Sequence, residues 1–94
     1  FAETLRAMGR VDGCFANAGV SGGRSGPFLD RTVEQWDRIM RVNLRGAFLT
    51  FRAAARHMKE RAEGGDKGGA LVATASVAAI EGAARSEHYG ASKG

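Results

Sequence analysis

Apolar and polar positions follow two different periods along the chain, and each period predicts one kind of element. Residues 1–8 mix apolar and charged side chains as a surface helix does, and Gly9 is a plausible helix end because glycine accepts the left-handed conformation. Residues 11–16 and 70–75 are instead short, almost wholly apolar runs. Such runs predict buried strands of a parallel sheet.

The longest periodic segment predicts an amphipathic helix that begins with a capping box. Thr32 and Gln35 have the spacing at which each side chain satisfies a free backbone amide of the other residue. At about 100° per residue, the apolar side chains gather on one side of this helix. They are Val33, Trp36, Met40, Leu44, Ala47, Phe51, Ala54 and Met58. We expect the helix to run to about Ala62 and to end in the glycine-rich turn 64–69, which serves as a connection.

The order strand, long helix, strand predicts a βαβ unit with a right-handed crossover. Ligands of such sheets bind outside the carboxyl ends of the strands. Asn17, Ala18 and Gly19 follow the first strand, Ser76 follows the second, and a last helix begins near Glu87. The predicted fold class is α/β, a partial Rossmann-type doubly wound parallel sheet in a three-layer α/β/α arrangement.

Composition narrows the class of protein. The chain has 94 residues, of which 44% are hydrophobic and 26% charged, which is ordinary for one globular domain. No apolar run approaches the roughly 20 residues that span a bilayer. Cys14 is the single cysteine, and no Cys/His group has metal-ligand spacing. We therefore expect no metal and no membrane partner, and a cytoplasmic location fits the cysteine usage.

Basic residues on the long helix raise a second hypothesis, a module that binds nucleic acid. They are Arg38, Arg41, Arg45, Arg52, Arg56 and Lys59, which lie roughly opposite the apolar stripe of the predicted helix. Glu34 and Asp37 stand four residues before two of these arginines, a favourable spacing for helix ion pairs. Val42 and Leu49 interrupt the basic face with apolar side chains. We therefore expect no nucleic-acid partner and favour a subunit contact over a merely solvated face.

Tyr89 and Lys93 are the residues with the clearest chemical potential. Four residues apart, they project from the same face if the segment is helical. A free phenol titrates near pH 10, and a neighbouring cation favours the phenolate, which brings a phenol toward the range useful in acid–base catalysis. Tyr-x-x-x-Lys alone is weak evidence, because the pair could be incidental on a solvated helix.

Four motifs together resemble the short-chain dehydrogenase/reductase family. They are Asn17-Ala18-Gly19 after an apolar strand, Asn43 in the long helix, Ser76 thirteen residues before Tyr89, and Tyr89-x-x-x-Lys93. The resemblance covers nearly the whole chain. It implies an enzyme that transfers a hydride between NAD or NADP and a small alcohol or ketone. It also implies a homodimer or homotetramer, since this helix commonly packs against its copy in the family.

The resemblance also implies a role for each matching residue. Tyr89 would be the general acid in reduction and the base in oxidation, and Lys93 would assist it and bind the nicotinamide ribose. Ser76 would polarise the substrate carbonyl, and Asn43 would fix a water that links Lys93 to solvent. Ser76 could instead be only a helix-cap or turn residue. Asn43 could instead be a buried polar residue whose hydrogen bonds serve the structure alone. The neighbouring His88 is expected at the surface or on the substrate side.

Two further matches concern the cofactor. The resemblance implies that Asn17, Ala18 and Gly19 brace the sheet and border the cofactor, although Gly19 could simply supply a turn. Thr74 matches a position near the nicotinamide, as do Tyr89 and Lys93.

The main departure from the family is a missing motif. The glycine-rich cofactor fingerprint does not occur among the 94 residues. We therefore expect residues 1–94 to be a fragment of one NAD(P)-binding Rossmann-type domain, lacking the N-terminal glycine-rich turn and the C-terminal substrate region, and inactive when isolated. A non-catalytic binding module of the same fold is the other alternative. Substrate, direction and cofactor preference stay open.

Overall fold

The computed structural model describes residues 1–21 and 26–94, and its elements follow the order that the sequence predicts. The loop expected between Val20 and Asp30 lies partly outside the described residues. The elements are α1 (Ala2–Met8), β1 (Gly13–Ala16), a 3₁₀ turn (Phe28–Asp30), α2 (Val33–Ile39), a π-helical segment (Met40–Arg45), α3 (Gly46–Glu63), β2 (Ala70–Ala73), α4 (Ala78–Glu81) and α5 (Glu87–Lys93). The 3₁₀ turn, the π-helical segment and α4 are the three of these elements that the sequence did not predict.

The two strands pair in parallel and form the predicted βαβ unit. Gly13 lies opposite Ala70 and Ala16 opposite Ala73, and α3 packs on both strands. Both strands are shorter than expected, and they are not buried: Phe15 is 72% exposed and β2 is exposed throughout. Strands that are apolar on both faces need cover on both faces. The expectation of buried strands is therefore wrong for this chain taken alone.

The start of the helical region is confirmed, and its interior differs from a continuous α-helix. The Thr32 hydroxyl accepts the Gln35 N–H at 3.1 Å, and the Gln35 side chain accepts the Thr32 N–H at 2.9 Å. The π-helical segment then inserts an extra residue, since the Gly46 N–H bonds to the carbonyl of Arg41, five residues back. The helical region ends at Glu63, close to the predicted end.

The extra residue changes which side chains face inward. Ile39 and Asn43 are buried where the regular period predicts Met40 and Leu44, and Leu44 is 54% exposed. Beyond the π-helical segment the prediction holds, since Ala54 is fully buried. The predicted apolar stripe is therefore wrong by one residue before Gly46 and right after it.

Contacts with α3 hold the chain where it enters β1. α1 ends as predicted at Gly9, which has a φ of 84° and donates its N–H to the carbonyl of Leu5 at 2.8 Å. The Val11 N–H then bonds to Nε2 of His57 at 3.1 Å, and Nη1 of Arg61 donates to the Val11 carbonyl at 2.9 Å. Among the described helices, none is long and apolar enough to cross a membrane.

Candidate active site

Polar groups meet at the carboxyl ends of the two strands. The Thr74 hydroxyl donates to Oδ1 of Asn17 at 2.6 Å, which joins the ends of β1 and β2. Nζ of Lys93 donates to the backbone carbonyl of Thr74 at 3.0 Å. Asn17, Thr74 and Lys93, all three named by the sequence analysis, therefore share one edge of the sheet. Thr74 lies 57 positions after Asn17 and 19 positions before Lys93.

Gly19 lies so close to this group that a side chain would disturb it. A Cβ there would lie 3.2 Å from Nζ of Lys93 and 3.3 Å from Oδ1 of Asn43. Gly19 is not among the described glycines with positive φ, so its backbone conformation does not demand glycine. Close approach, rather than turn geometry, is the physical reason for a glycine at this position.

The side chain of Asn43 joins three parts of the chain. It is 5% exposed, and its Nδ2 donates to the Val20 carbonyl and to Oγ of Ser92, both at 2.9 Å. Its Oδ1 accepts the Val20 N–H at 2.8 Å. Both N–H groups of the amide are used, so the side chain makes the structural hydrogen bonds that the second interpretation of Asn43 expects. The proposed water near Asn43 stays a prediction.

Both groups of the Tyr89–Lys93 pair belong to α5, and the start of this helix is fixed by a buried arginine. Arg31, with its side chain 6% exposed, donates to the Arg85 carbonyl at 2.8 Å and pairs with Glu87 at 3.4 Å. The Glu87 carboxylate accepts the Arg85 N–H at 2.6 Å. These contacts hold Arg85 in the left-handed region, with a φ of 63°. The pKa of Glu87 is lowered by the hydrogen bonds that its carboxylate accepts. The donors are its own backbone, the backbone of Arg85 and the Arg31 side chain.

His88 is buried, which corrects the expectation of a surface or substrate-side residue. It is 2% exposed, because α5 packs against α2 and the π-helical segment. The other buried residue of α5 is Ser92, four positions along. Burial lowers the pKa of His88, and the positive charge of Arg31 lowers it further, so the neutral imidazole is favoured. Its Nδ1 has no hydrogen-bond partner in the described part of the chain.

Ser76 begins the turn that leads into α4. Its Oγ accepts the Ala78 N–H at 3.2 Å, the kind of contact that the capping alternative describes. A hydroxyl that accepts this bond retains its own hydrogen for a further acceptor. Within the described residues no hydrogen bond joins Ser76 to Tyr89 or Lys93, and the expected convergence of Ser76 with Tyr89 stays a prediction.

The sequence analysis missed Ser92, Val20 and Arg31, because each acts through a partner distant in the chain. Ser92 had one local signal, its i, i+4 spacing from another polar residue, His88. In residues 1–21 and 26–94, no group of His, Cys, Asp or Glu side chains could hold a metal ion.

Comparisons with known proteins support the fold described above. A family profile described as short chain dehydrogenase matches residues 1–94. L-rhamnose 1-dehydrogenase (NAD(P)(+)) of Azotobacter vinelandii is 40% identical over 88 residues, covering 94% of this chain and 32% of that protein. Two solved structures superpose with a TM-score of 0.85: levodione reductase, 35% identical, and NAD⁺-bound xylitol dehydrogenase, 32% identical. Each match covers 98% of this chain and 33% of the solved chain. The chain thus spans about a third of the length of these relatives.

Proposed function

Because the chain belongs to the short-chain dehydrogenase family, we propose that it supplies the proton-transfer residues of an NAD(P)-dependent oxidoreductase acting on a small alcohol or ketone. Since its relatives are three times longer, we propose that the active unit is a complete Rossmann-type domain of which residues 1–94 are the central part. The observation that carries the proposal is the position of Lys93, whose ammonium lies at the end of β2 on the same helix as Tyr89. A cytoplasmic location is part of the same proposal.

The residues present fit the nicotinamide end of NAD or NADP. An ammonium has three donors, and Lys93 uses one of them on the Thr74 carbonyl, which leaves donors for ribose hydroxyls. Gly19 presents no side chain at this edge, and Asn17 and Ala18 continue the same exposed border. When bound, the nicotinamide supplies the hydride acceptor or donor. The sequence of residues 1–94 contains no glycine-rich motif for the pyrophosphate, and it leaves the choice between NAD and NADP open.

Proton transfer is assigned to Tyr89. In reduction its phenol donates a proton to the carbonyl oxygen, and in oxidation its phenolate accepts the alcohol proton. Lys93, on the same helix, is assigned to assist this transfer. Ser76 donates its free hydroxyl hydrogen to the substrate oxygen and polarises the carbonyl. Asn43 acts by holding its neighbours in place, and its link to a water is part of this proposal.

The test compares two substitutions with a matched control in the complete protein. Tyr89→Phe removes the titrating hydroxyl, so turnover should fall by about 10² to 10⁴ while cofactor affinity changes little. Lys93→Met should also abolish most turnover. Lys59→Met is the control, because Lys59 is exposed and forms an ion pair with Glu63, at 3.9 Å, away from the strand ends. Turnover follows from nicotinamide absorbance and affinity from fluorescence titration. Near-normal turnover in Tyr89→Phe would contradict the proposal.

We also propose that the exposed side of the helical region binds a second copy of the chain. Leu44 and Phe48 are 54% and 59% exposed there, and Asp37, Arg41 and Arg45 border the same groove. In a two-fold interface the same surface faces itself, so an acidic and a basic group can pair across the axis. This surface favours a subunit contact over a phosphate-binding track.

The oligomeric state tests this second proposal. Leu44→Asp should convert the complete protein to a monomer in sedimentation experiments, because it buries a charge in the apolar centre of the contact. Ile80→Asp is the matched control, since Ile80 is 89% exposed and lies outside this surface. An unchanged oligomer in Leu44→Asp would contradict the proposal.

A further inference from the structure

We propose that Ser92 is a positioning residue for the Tyr89–Lys93 pair, because its hydroxyl couples α5 to Asn43. This inference deepens the proposed function and rests on it. Ser92 itself contacts neither substrate nor cofactor in this proposal. It fixes the rotation of the helix that carries both groups.

Both hydrogen bonds of the Ser92 hydroxyl are directed at the site. Ser92 is 5% exposed, accepts from Nδ2 of Asn43 at 2.9 Å and donates to the backbone carbonyl of Tyr89 at 2.7 Å. A hydroxyl has one hydrogen, and here the carbonyl of Tyr89 receives it. The peptide group of Tyr89 is therefore linked, through one side chain, to a residue of another helix.

Asn43 makes this link rigid. Its amide is held on the N–H and the carbonyl of Val20, at 2.8 and 2.9 Å. Val20 follows Gly19, against which the Lys93 ammonium lies. The same frame therefore borders the ammonium at Gly19 and holds the backbone of α5 through Ser92. A rotation of α5 that displaced the phenol would break the bond between Ser92 and Asn43.

A helical hydroxyl bonded to its own helix has no functional meaning by itself. Thr50 shows the ordinary case, since its hydroxyl donates to the Gly46 carbonyl at 2.8 Å on the exposed side of α3. Ser92 differs in two ways: it is buried, and it accepts from a second element. Thr50 therefore provides the matched control.

The experiment measures turnover against pH in the complete protein for Ser92→Ala, Ser92→Cys and Thr50→Ala. Misplacing a reacting group by about 1 Å can cost on the order of 10²-fold, so we expect kcat of Ser92→Ala to fall about 10- to 10²-fold. In alcohol oxidation the pH profile should also change, because the two groups assigned to proton transfer are displaced together with α5. Ser92→Cys, with a weaker donor and acceptor of similar size, should lie between Ser92→Ala and wild type, and Thr50→Ala should match wild type.

Tyr89→Phe, measured in parallel, separates the two proposals. If it abolishes turnover while folded Ser92→Ala keeps the wild-type kcat and pH profile, the positioning role is wrong and the proposed function stands. A lower Tm of Ser92→Ala with an unchanged pH profile also overturns the positioning role. If Ser92→Ala does not fold, the profile of Ser92→Cys decides, and a wild-type profile there overturns it. Turnover that survives in Tyr89→Phe removes both proposals together.

Discussion

Replacing Asn43 with leucine tests whether one buried amide holds the site together. Leucine has the same branched outline with bulkier methyl ends, so Asn43→Leu removes the hydrogen bonds without opening a cavity. It leaves the N–H and carbonyl of Val20 without their amide partner and removes the donor to Ser92. The Ser92 hydroxyl keeps its bond to the Tyr89 carbonyl.

The expected cost follows from the groups left unpaired. A buried polar group without a partner costs about 1 to 3 kcal/mol, and Val20 is only half-buried, so water reaches part of its backbone. With two backbone groups affected, we expect Asn43→Leu to lower the free energy of unfolding by about 2 to 4 kcal/mol. This is a large share of the roughly 5 to 15 kcal/mol that stabilises a domain.

Urea unfolding of the complete protein, followed by circular dichroism, measures this difference. Asn17→Leu is the control, because Asn17 is exposed and has one bond, to Thr74, within the described residues. That variant should cost less than about 1 kcal/mol. Asn43→Asp adds a second test, since its carboxylate repels the Val20 carbonyl but can donate to it once protonated, so its penalty should shrink at acidic pH. Equal costs for Asn43→Leu and Asn17→Leu would refute the reasoning.

Three further predictions follow from the same contacts. Gly19→Ala places a Cβ 3.2 Å from Nζ of Lys93, so it should lower kcat and leave Tm nearly unchanged. Gly13→Ala, whose Cβ meets nothing within 4 Å, should change neither quantity. Equal effects of the two variants on kcat would contradict this prediction. Burial lowers the pKa of His88, so the stability that the neutral imidazole contributes is present above about pH 6.5 and is lost on acidification. The wild-type Tm should therefore fall between about pH 7 and 5, and His88→Gln should flatten this fall. An equal decline of Tm in both proteins would contradict this prediction. Residues 1–94 made alone should unfold without a cooperative transition and bind NADH and NADPH weakly, and calorimetry showing a sharp transition with micromolar binding would refute this.

The features that the sequence predicted correctly depend on neighbours within a few residues. The Thr32–Gln35 capping box and the left-handed end at Gly9 both follow from local backbone chemistry. The parallel pairing of the strands follows from the order of the elements, which allows few topologies. Lys93 donates to the carbonyl of Thr74 at the end of β2, although α4 lies between that strand and α5.

Features that depend on distant neighbours were not predictable in this way. The apolar strands predict burial, but burial requires cover on both faces, and here every residue of β2 stays exposed although α3 packs on the strand. His88 resembles a solvated residue in sequence, and the packing of α5 against α2 and the π-helical segment buries it. The bond between Asn43 and Ser92 spans 49 positions, and no local pattern indicates it.

The π-helical segment connects the candidate site with the exposed apolar surface. A regular α-helix would bury Met40 and Leu44 and turn Asn43 to the edge of the apolar stripe. The extra residue reverses this arrangement: it brings Asn43 inward to Val20 and Ser92, and it leaves Leu44 exposed. π-Helical turns are rare and frequently occur at functional sites, because they are retained where they place a particular side chain. The buried amide and the surface proposed to bind a second copy are therefore two consequences of one insertion, so a change that restored a regular helix would remove both.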